Sequence, residues 1–395
     1  IPETLYLIYK GFYSIVIVIG PIIITGTLLG KFLNETGTSR KMVNTFISYL
    51  GINNIPISLN VIGFIISIPV FCDAAFILMS SIVKDLSKTT KKNIILLSIC
   101  LAAGLYSAHV FVPPTPGPIA ASAIMDADIG LLFLIGIIVG AIVSIAGYVW
   151  IRFLFKKEFE INPEEIKSYE FISNRSIISF LPIVLPILLI SSSTIIKFPD
   201  LEITQFQFLK IFVFIGKPEI ALFVGFITTL IFLRKDKIKY TPLWAIKSLK
   251  DSFGILLITG SGGALGYIIR ESGIINSLSI NDVKGLASIL SVFIIAAIIK
   301  TIQGSSTVAI VTTSAITAPL IQSIGMTSEL EKVILIISIG SGAMTISHIN
   351  DSYFWVVSKY SNIEMNDVLK FFSTTTLIQG LFGLLASITL YIFLT

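Results

Sequence analysis

Apolar residues run along this chain in blocks of membrane-spanning length, and polar residues are confined to short gaps between them. The pattern predicts helices over about 11–33, 93–125, 130–152, 177–196, 208–233, 252–269, 333–358 and 371–394. A bilayer core of about 30 Å needs about 20 apolar residues per helix, a condition "GLLFLIGIIVGAIVSIAGYVW" (130–150) meets alone. Two further apolar stretches, 56–83 and 285–319, are each too short for two full crossings. Each is interrupted by small and polar residues, "FCDAAF" (71–76) and "IQGSSTVA" (302–309).

Composition sharpens this to a class. Hydrophobic residues make up 54% and charged residues 13% of the chain, and the mean hydropathy is +0.92. The reading is a polytopic, multi-pass all-α membrane protein. The net charge of +5 does not imply nucleic acid, because the Lys and Arg residues sit in short loops between spans. Cys72 and Cys100 lie in apolar segments without CxxC spacing and are read as packing residues, not as a disulfide or a metal site. "GSGGALG" (260–266) has no preceding strand and no Lys-Ser/Thr, so helix packing explains it better than a nucleotide loop. No catalytic set with enzyme spacing is visible, and no metal, nucleotide or other cofactor is expected.

The basic residues give an orientation. Lys84, Lys88, Lys91 and Lys92 form one cluster, Lys156, Lys157 and Lys167 a second, and Arg234 to Lys250 a third. The segments 126–129, 197–203 and 327–332 carry few bases. With basic loops inside, the spans alternate consistently only if 56–83 and 285–319 each return to the side they left. Both are then re-entrant hairpins.

The two halves echo each other about 235 residues apart. "GPIIITGTLLGKFLNETG" (20–37) matches "GILLITGSGGALGYIIRESG" (254–273), and each precedes a broken stretch. "LAAGLYSAHVFVPPTPGP" (101–118) then matches "ISIGSGAMTISHINDSYFW" (337–355), with a histidine in each. The charge-derived topology makes this an inverted repeat with two broken transmembrane helices, as in secondary transporters. The expected division is a first repeat over 1–155, a cytoplasmic linker over 156–176 and a second repeat over 177–395. The first residue is Ile1, and the repeat leads one to expect roughly fifty further residues before it.

Non-helical backbone at membrane depth is tolerated only inside protein or beside a wet cavity. Four such breaks are expected, around Asp73, at His109–Pro118, at Gln303–Thr307 and at His348–Ser352. A helix restarting after a break offers free N–H groups and a positive dipole end to an anion. Gln303, Gly304, Ser305, Ser306 and Thr307 form one such start, and Pro114, Thr115 and Gly117 another. Asp73 is either a helix cap at a hairpin tip or a proton or cation site. His109 and His348 are either satisfied core residues or groups that touch substrate or relay protons. Asn350, Asp351 and Ser352 are read as a site against the alternative of an extramembrane turn. Lys300 either snorkels to the outer surface or is a countercharge to an anionic substrate.

"IPVFCDAAF", "HVFVPPTPGP", "IQGSSTVA", "SHINDSYFW" and "GKPEIALFVG" (216–225) resemble the signature segments of the gluconate permease family of proton symporters, and the resemblance covers essentially the whole chain. It implies a carrier of the bacterial inner membrane that imports gluconate or a related small hydroxylated carboxylate with protons. The implied site comprises Asp73, His109 with Pro113 to Gly117, Gln303 to Thr307 and His348 to Ser352. Asp73 or Asp351 would carry the coupling proton, while the lipid bilayer surrounds the chain. Some relatives handle D-serine, so a small amino acid is the alternative substrate, and a channel is a rival of another class. Small-residue packing faces permit a homodimer.

Overall fold

The computed structural model describes residues 2–50, 54–156, 176–196, 209–271 and 284–395. The linker expected over 156–176 lies, apart from its two end residues, outside the described residues, as does the base-poor segment 197–203. Among the described residues, seven helices are long and apolar enough to cross a membrane, or eight if one bent pair is counted as a span.

The first half contains α1 (Pro2–Glu35), α2 (Thr38–Leu50), α3 (Ile55–Ser67), α4 (Cys72–Thr90), α5 (Ile94–Phe111), α6 (Pro116–Met125) and α7 (Ile129–Leu154). The second contains α8 (Leu181–Ile196), α9 (Leu209–Ile215), α10 (Pro218–Thr229), α11 (Thr241–Glu271), α12 (Leu286–Gln303), α13 (Ser306–Thr317), α14 (Glu329–Met344), α15 (Ser352–Ser361) and α16 (Thr374–Leu394). In each half a long helix is followed by a helix pair across a break, then by an interrupted helix, then by a closing helix.

Small residues set the crossings. The long helices α1 and α11 lie antiparallel, with Gly11 against Gly263 and Tyr267 at one end. The Phe32 ring meets Trp244 edge-on at 5.5 Å at the other. Between them the Thr27 and Ser252 hydroxyls are 2.5 Å apart. Gly104 of α5 presses on the Asn60 backbone of α3, leaving no room for a Cβ. Without hydrophobic gain between helices in lipid, such close backbone approach and buried hydrogen bonds hold the bundle. Asn60 donates its amide to the Cys100 carbonyl at 3.1 Å and accepts from the Ser144 hydroxyl at 2.9 Å. Gln379 of α16 donates to the Ala103 carbonyl at 3.0 Å and to the Ser107 hydroxyl at 2.8 Å. These two buried amides tie α3, α5, α7 and α16 together.

The sidedness read from charge agrees with the packing. The Asp128 N–H donates to the Glu329 carboxylate at 2.7 Å, and Lys332 donates to the Asp126 carbonyl at 2.6 Å, so two base-poor turns share one face. On the other face, Lys237 of the basic cluster donates to the Glu35 carbonyl at 2.5 Å.

Several expected boundaries are corrected. The single helix expected over 208–233 is bent by 75° between α9 and the helix that follows. Gly216 and Lys217 form the bend, and Pro218, which has no N–H to lose, starts α10. The second broken stretch is longer than 285–319. Leu286–Gln303 and Ser306–Ile324 each reach crossing length, because Pro319 is accommodated in a first turn and does not stop the chain. The break expected at His348–Ser352 is present and begins earlier, since the helix stops at Met344 and resumes at Ser352. Finally, α11 starts at Thr241 rather than at residue 252, through a partly polar turn.

Candidate functional site

Each interruption has a local cause. After α3 the chain turns at Ser67, whose hydroxyl donates to the Val70 carbonyl at 3.1 Å, and α4 restarts at Cys72 with Phe71 as its N-cap. Asp73 therefore lies in the first turn of α4, just past the break, where the positive helix end favours a carboxylate. After α5, Pro113 and Pro114 end the ladder and Pro116 starts α6. Thr115 between them is buried, and its hydroxyl donates to the Val112 carbonyl at 2.6 Å. Gly117 lies against Ile310 of α13, where an added Cβ would come within 2.8 Å of that side chain.

In the second half, α12 ends at Gly304 with φ +78°, and Ser305 caps α13 by accepting from the Val308 N–H at 3.3 Å. Asp351 caps α15 by accepting from the Tyr353 N–H at 3.0 Å. Four helices thus restart at interruptions, and their N-termini converge. The starts of α4 and α6 meet at a small cavity lined by Val70, Phe71, Pro114 and Thr115. The start of α13 abuts that of α15, because Gly304 packs on the Asn350 carbonyl.

Aromatic side chains join the two pairs. The buried His109 ring lies 6.5 Å from Phe71 and stacks at 6.4 Å on Tyr106. The Tyr106 ring in turn lies 5.3 Å from that of Tyr353. At the centre the Lys300 ammonium is 2.5 Å from Asp351 Oδ2 and 2.9 Å from the Gly304 carbonyl, and it sits 5.9 Å from the Tyr106 ring centroid. Ser347 also donates to Asp351 Oδ2. Asp73 and His109 both stand within electrostatic reach of Lys300 and Asp351.

Two buried polar atoms in this cluster, Asp73 Oδ1 and His109 Nδ1, have no hydrogen-bond partner. A buried group left unpaired is costly, so both atoms are open to a hydrogen-bond partner from outside the chain. Chemically the cluster offers helix N-termini and hydroxyls to an anion, an imidazole to hydroxyl groups, and one unsatisfied carboxyl oxygen to a proton.

The structure brings together Asp73, His109, Lys300, Ser306 and Asp351, with Pro114, Thr115, Gly117, Gly304, Ser305 and Thr307 on the same interruptions. The rest stand apart. Lys300 does not snorkel: it is 1% exposed and ion-paired. Asn350 is exposed and spends its amide on the Thr301 and Ile302 carbonyls, at 2.7 and 3.0 Å, closing the end of α12. Gln303 and Ser352 are exposed, and His348 is half-buried while His109 is buried, so the two histidines do not stand in equivalent surroundings. Tyr106, Tyr353, Ser347 and Phe71 were invisible to sequence reasoning, since aromatics and serines in an apolar run carry no signal of their own. Among the described residues, no group of three or more His, Cys, Asp or Glu is placed to hold a metal ion.

A second feature lies at the far ends of α6 and α13. A cavity of about 530 Å³ opens there, lined among others by Ser14, Asp126, Tyr267, Gln322 and Lys332. It is on the face of the base-poor turns.

The chain is similar to transporters in both sequence and fold. It is 32% identical to an uncharacterized permease of Haemophilus influenzae, over 93% of this chain and 78% of that protein. It is 30% identical to the gluconate permease of Zymomonas mobilis, over 92% of this chain and 82% of that one. The solved structure of the YdaH transporter of Alcanivorax borkumensis shares the fold at a TM-score of 0.65 and 11% identity, covering 98% of this chain and 88% of that one. The profile described as GntP family permease matches residues 1–393, and the chain belongs to that family, whose members are multi-pass transporters and not enzymes.

Proposed function

We propose that this permease imports gluconate or a related small hydroxylated carboxylate together with protons. The observation that carries the reading is the convergence of four interrupted-helix N-termini on a cluster with two unpartnered buried polar atoms. The substrate carboxylate lies against the starts of α13 and α6, near Ser305, Ser306, Thr307 and Gly117, where N–H groups and the helix dipole favour an anion. Its hydroxyls are met by His109 Nδ1 and the Thr115 hydroxyl.

The coupling proton belongs to Asp73 in this reading. Both oxygens of Asp351 are engaged by Lys300, Ser347 and the Tyr353 N–H, whereas Asp73 keeps one oxygen free. The substrate approaches through the 530 Å³ cavity on the base-poor, outer face. The two halves are taken as an inverted repeat whose paired helices α3–α4 and α12–α13 return to the side they leave, and the homodimer that small-residue faces permit is part of the same reading. Its mass in detergent tests the dimer.

One observation favours a second substrate class. The free Asp73 oxygen is also a partner for an ammonium group, as a small amino acid such as D-serine would need. A thermal-shift series on the purified protein separates the two, since a ligand that binds the folded state raises its melting point. The sugar-acid reading requires stabilisation by gluconate and not by D-serine; the reverse result replaces it.

A further inference from the structure

Two carboxylates face the same site, and only one of them has a cation of its own. The Lys300 ammonium is held by four attractions. It lies in the last turn of α12, whose C-terminal end carries the negative pole of the helix. It donates to the Gly304 carbonyl, which the left-handed φ of +78° at that residue presents to it, at 2.9 Å. It also pairs with Asp351 Oδ2 at 2.5 Å and faces the Tyr106 ring at 5.9 Å. A carbonyl, a carboxylate oxygen and a ring face around one buried point are groups that also attract a small free cation.

Among the described residues, the corresponding break of the first half shows no such cation. There the Ser67 hydroxyl donates to the Val70 carbonyl, where the second half uses an ammonium, and Asp73 keeps an unpartnered oxygen. The two breaks also differ in their caps, since Phe71 starts α4 without a side-chain cap while Gly304 and Ser305 end and cap the second pair.

We propose that Lys300 is a tethered cation: its ammonium permanently fills a monovalent-cation cradle formed by the Gly304 carbonyl, the Asp351 carboxylate and the Tyr106 ring. The permease therefore takes up no sodium or potassium ion at this place, and any ion that moves with substrate uses another group. The inference stands on the ion-pair geometry and is independent of which substrate is carried.

Removing the tether exposes the cradle to free cations. The Lys300→Ala protein is purified and melted in choline, sodium, potassium or methylammonium chloride, with no sugar acid present. The wild-type melting point is expected to be the same in all four salts. The variant is expected to melt roughly 5 °C lower in choline, because the Asp351 charge is left buried and unpaired. Methylammonium, sodium or potassium then restores at least half of that loss, saturably. The Lys300→Ala/Asp351→Ala protein shows no such response. If the single variant yields no folded protein in choline, the readout becomes the amount of monodisperse protein recovered when methylammonium is present from solubilisation onward. A variant that none of the three small cations stabilises or recovers overturns the proposal, and so does a cation response that survives removal of Asp351.

Discussion

Tyr106 and Tyr353 bind the two interrupted helices to each other reciprocally. Their rings lie 5.3 Å apart at 34°, the Tyr353 hydroxyl donates to the Ala102 carbonyl of α5 at 3.2 Å, and the Tyr106 hydroxyl reaches the Ala343 carbonyl of α14 at 3.5 Å. Each half thus offers a tyrosine to a carbonyl of the other, beside the residues that build the site. Replacing Tyr353 by Phe removes one hydrogen bond and keeps the ring, so a loss of about 1 kcal/mol in stability is expected. Tyr353→Ala also empties a fully buried volume, for about 3–5 kcal/mol. Melting of the two purified variants checks the difference. Equal losses would place the tyrosine's role in the hydroxyl alone.

Gly304 is required twice over. Its φ of +78° is left-handed, and a Cβ would meet the Asn350 carbonyl and side chain. Gly304→Ala is expected to destabilise by about 1–3 kcal/mol from backbone strain, before any loss from displacing Asn350. Gly254, whose surroundings are open, is the control: Gly254→Ala lies inside α11 and is expected to be neutral or slightly stabilising. Melting temperatures of the pair decide, and equal effects would contradict the role given to Gly304.

How far the sequence carried the fold depends on what marks a break. Proline and glycine are visible, so the interruptions at Pro113–Pro116 and at Gly304 were legible. The bend at Gly216–Lys217 is marked by the same residue types, but in a continuous apolar run they do not say whether a proline kinks a helix or starts a new one. Asp73, His109, Lys300 and Asp351 stood out because charge and imidazole are rare in apolar runs. Their partners did not. That Lys300 finds Asp351, 51 residues later, is a tertiary fact, and snorkelling is an equally good reading until the burial of the lysine is known. Likewise the repeat suggested equivalent histidines, while packing made one buried and left the other half-buried.

Asp73→Asn removes the proposed proton carrier and keeps the side chain's shape. Uptake of gluconate driven by an acid exterior is expected to fall at least tenfold, while exchange of external for internal gluconate persists, because exchange needs no net proton movement. Counterflow measured in the same vesicles checks this. Loss of both activities would make Asp73 a substrate-binding or structural group.

Ser306→Ala removes a hydroxyl at the start of α13, where the proposed function seats the substrate carboxylate. One hydrogen bond to a charged group is worth about 1.5–3 kcal/mol, so the KM for gluconate is expected to rise at least tenfold with a smaller change in maximal rate. Initial rates over a concentration series measure both. An unchanged KM would move the carboxylate away from this helix start.

The most direct test of proton-coupled sugar-acid import is uptake of radiolabelled gluconate by the purified permease in proteoliposomes, with the outside made more acidic than the lumen. Gluconate is expected to accumulate above its external concentration and to run back out when a protonophore collapses the gradient. Uptake that is saturable but indifferent to the gradient would contradict proton coupling, and absence of saturable gluconate uptake would contradict the substrate.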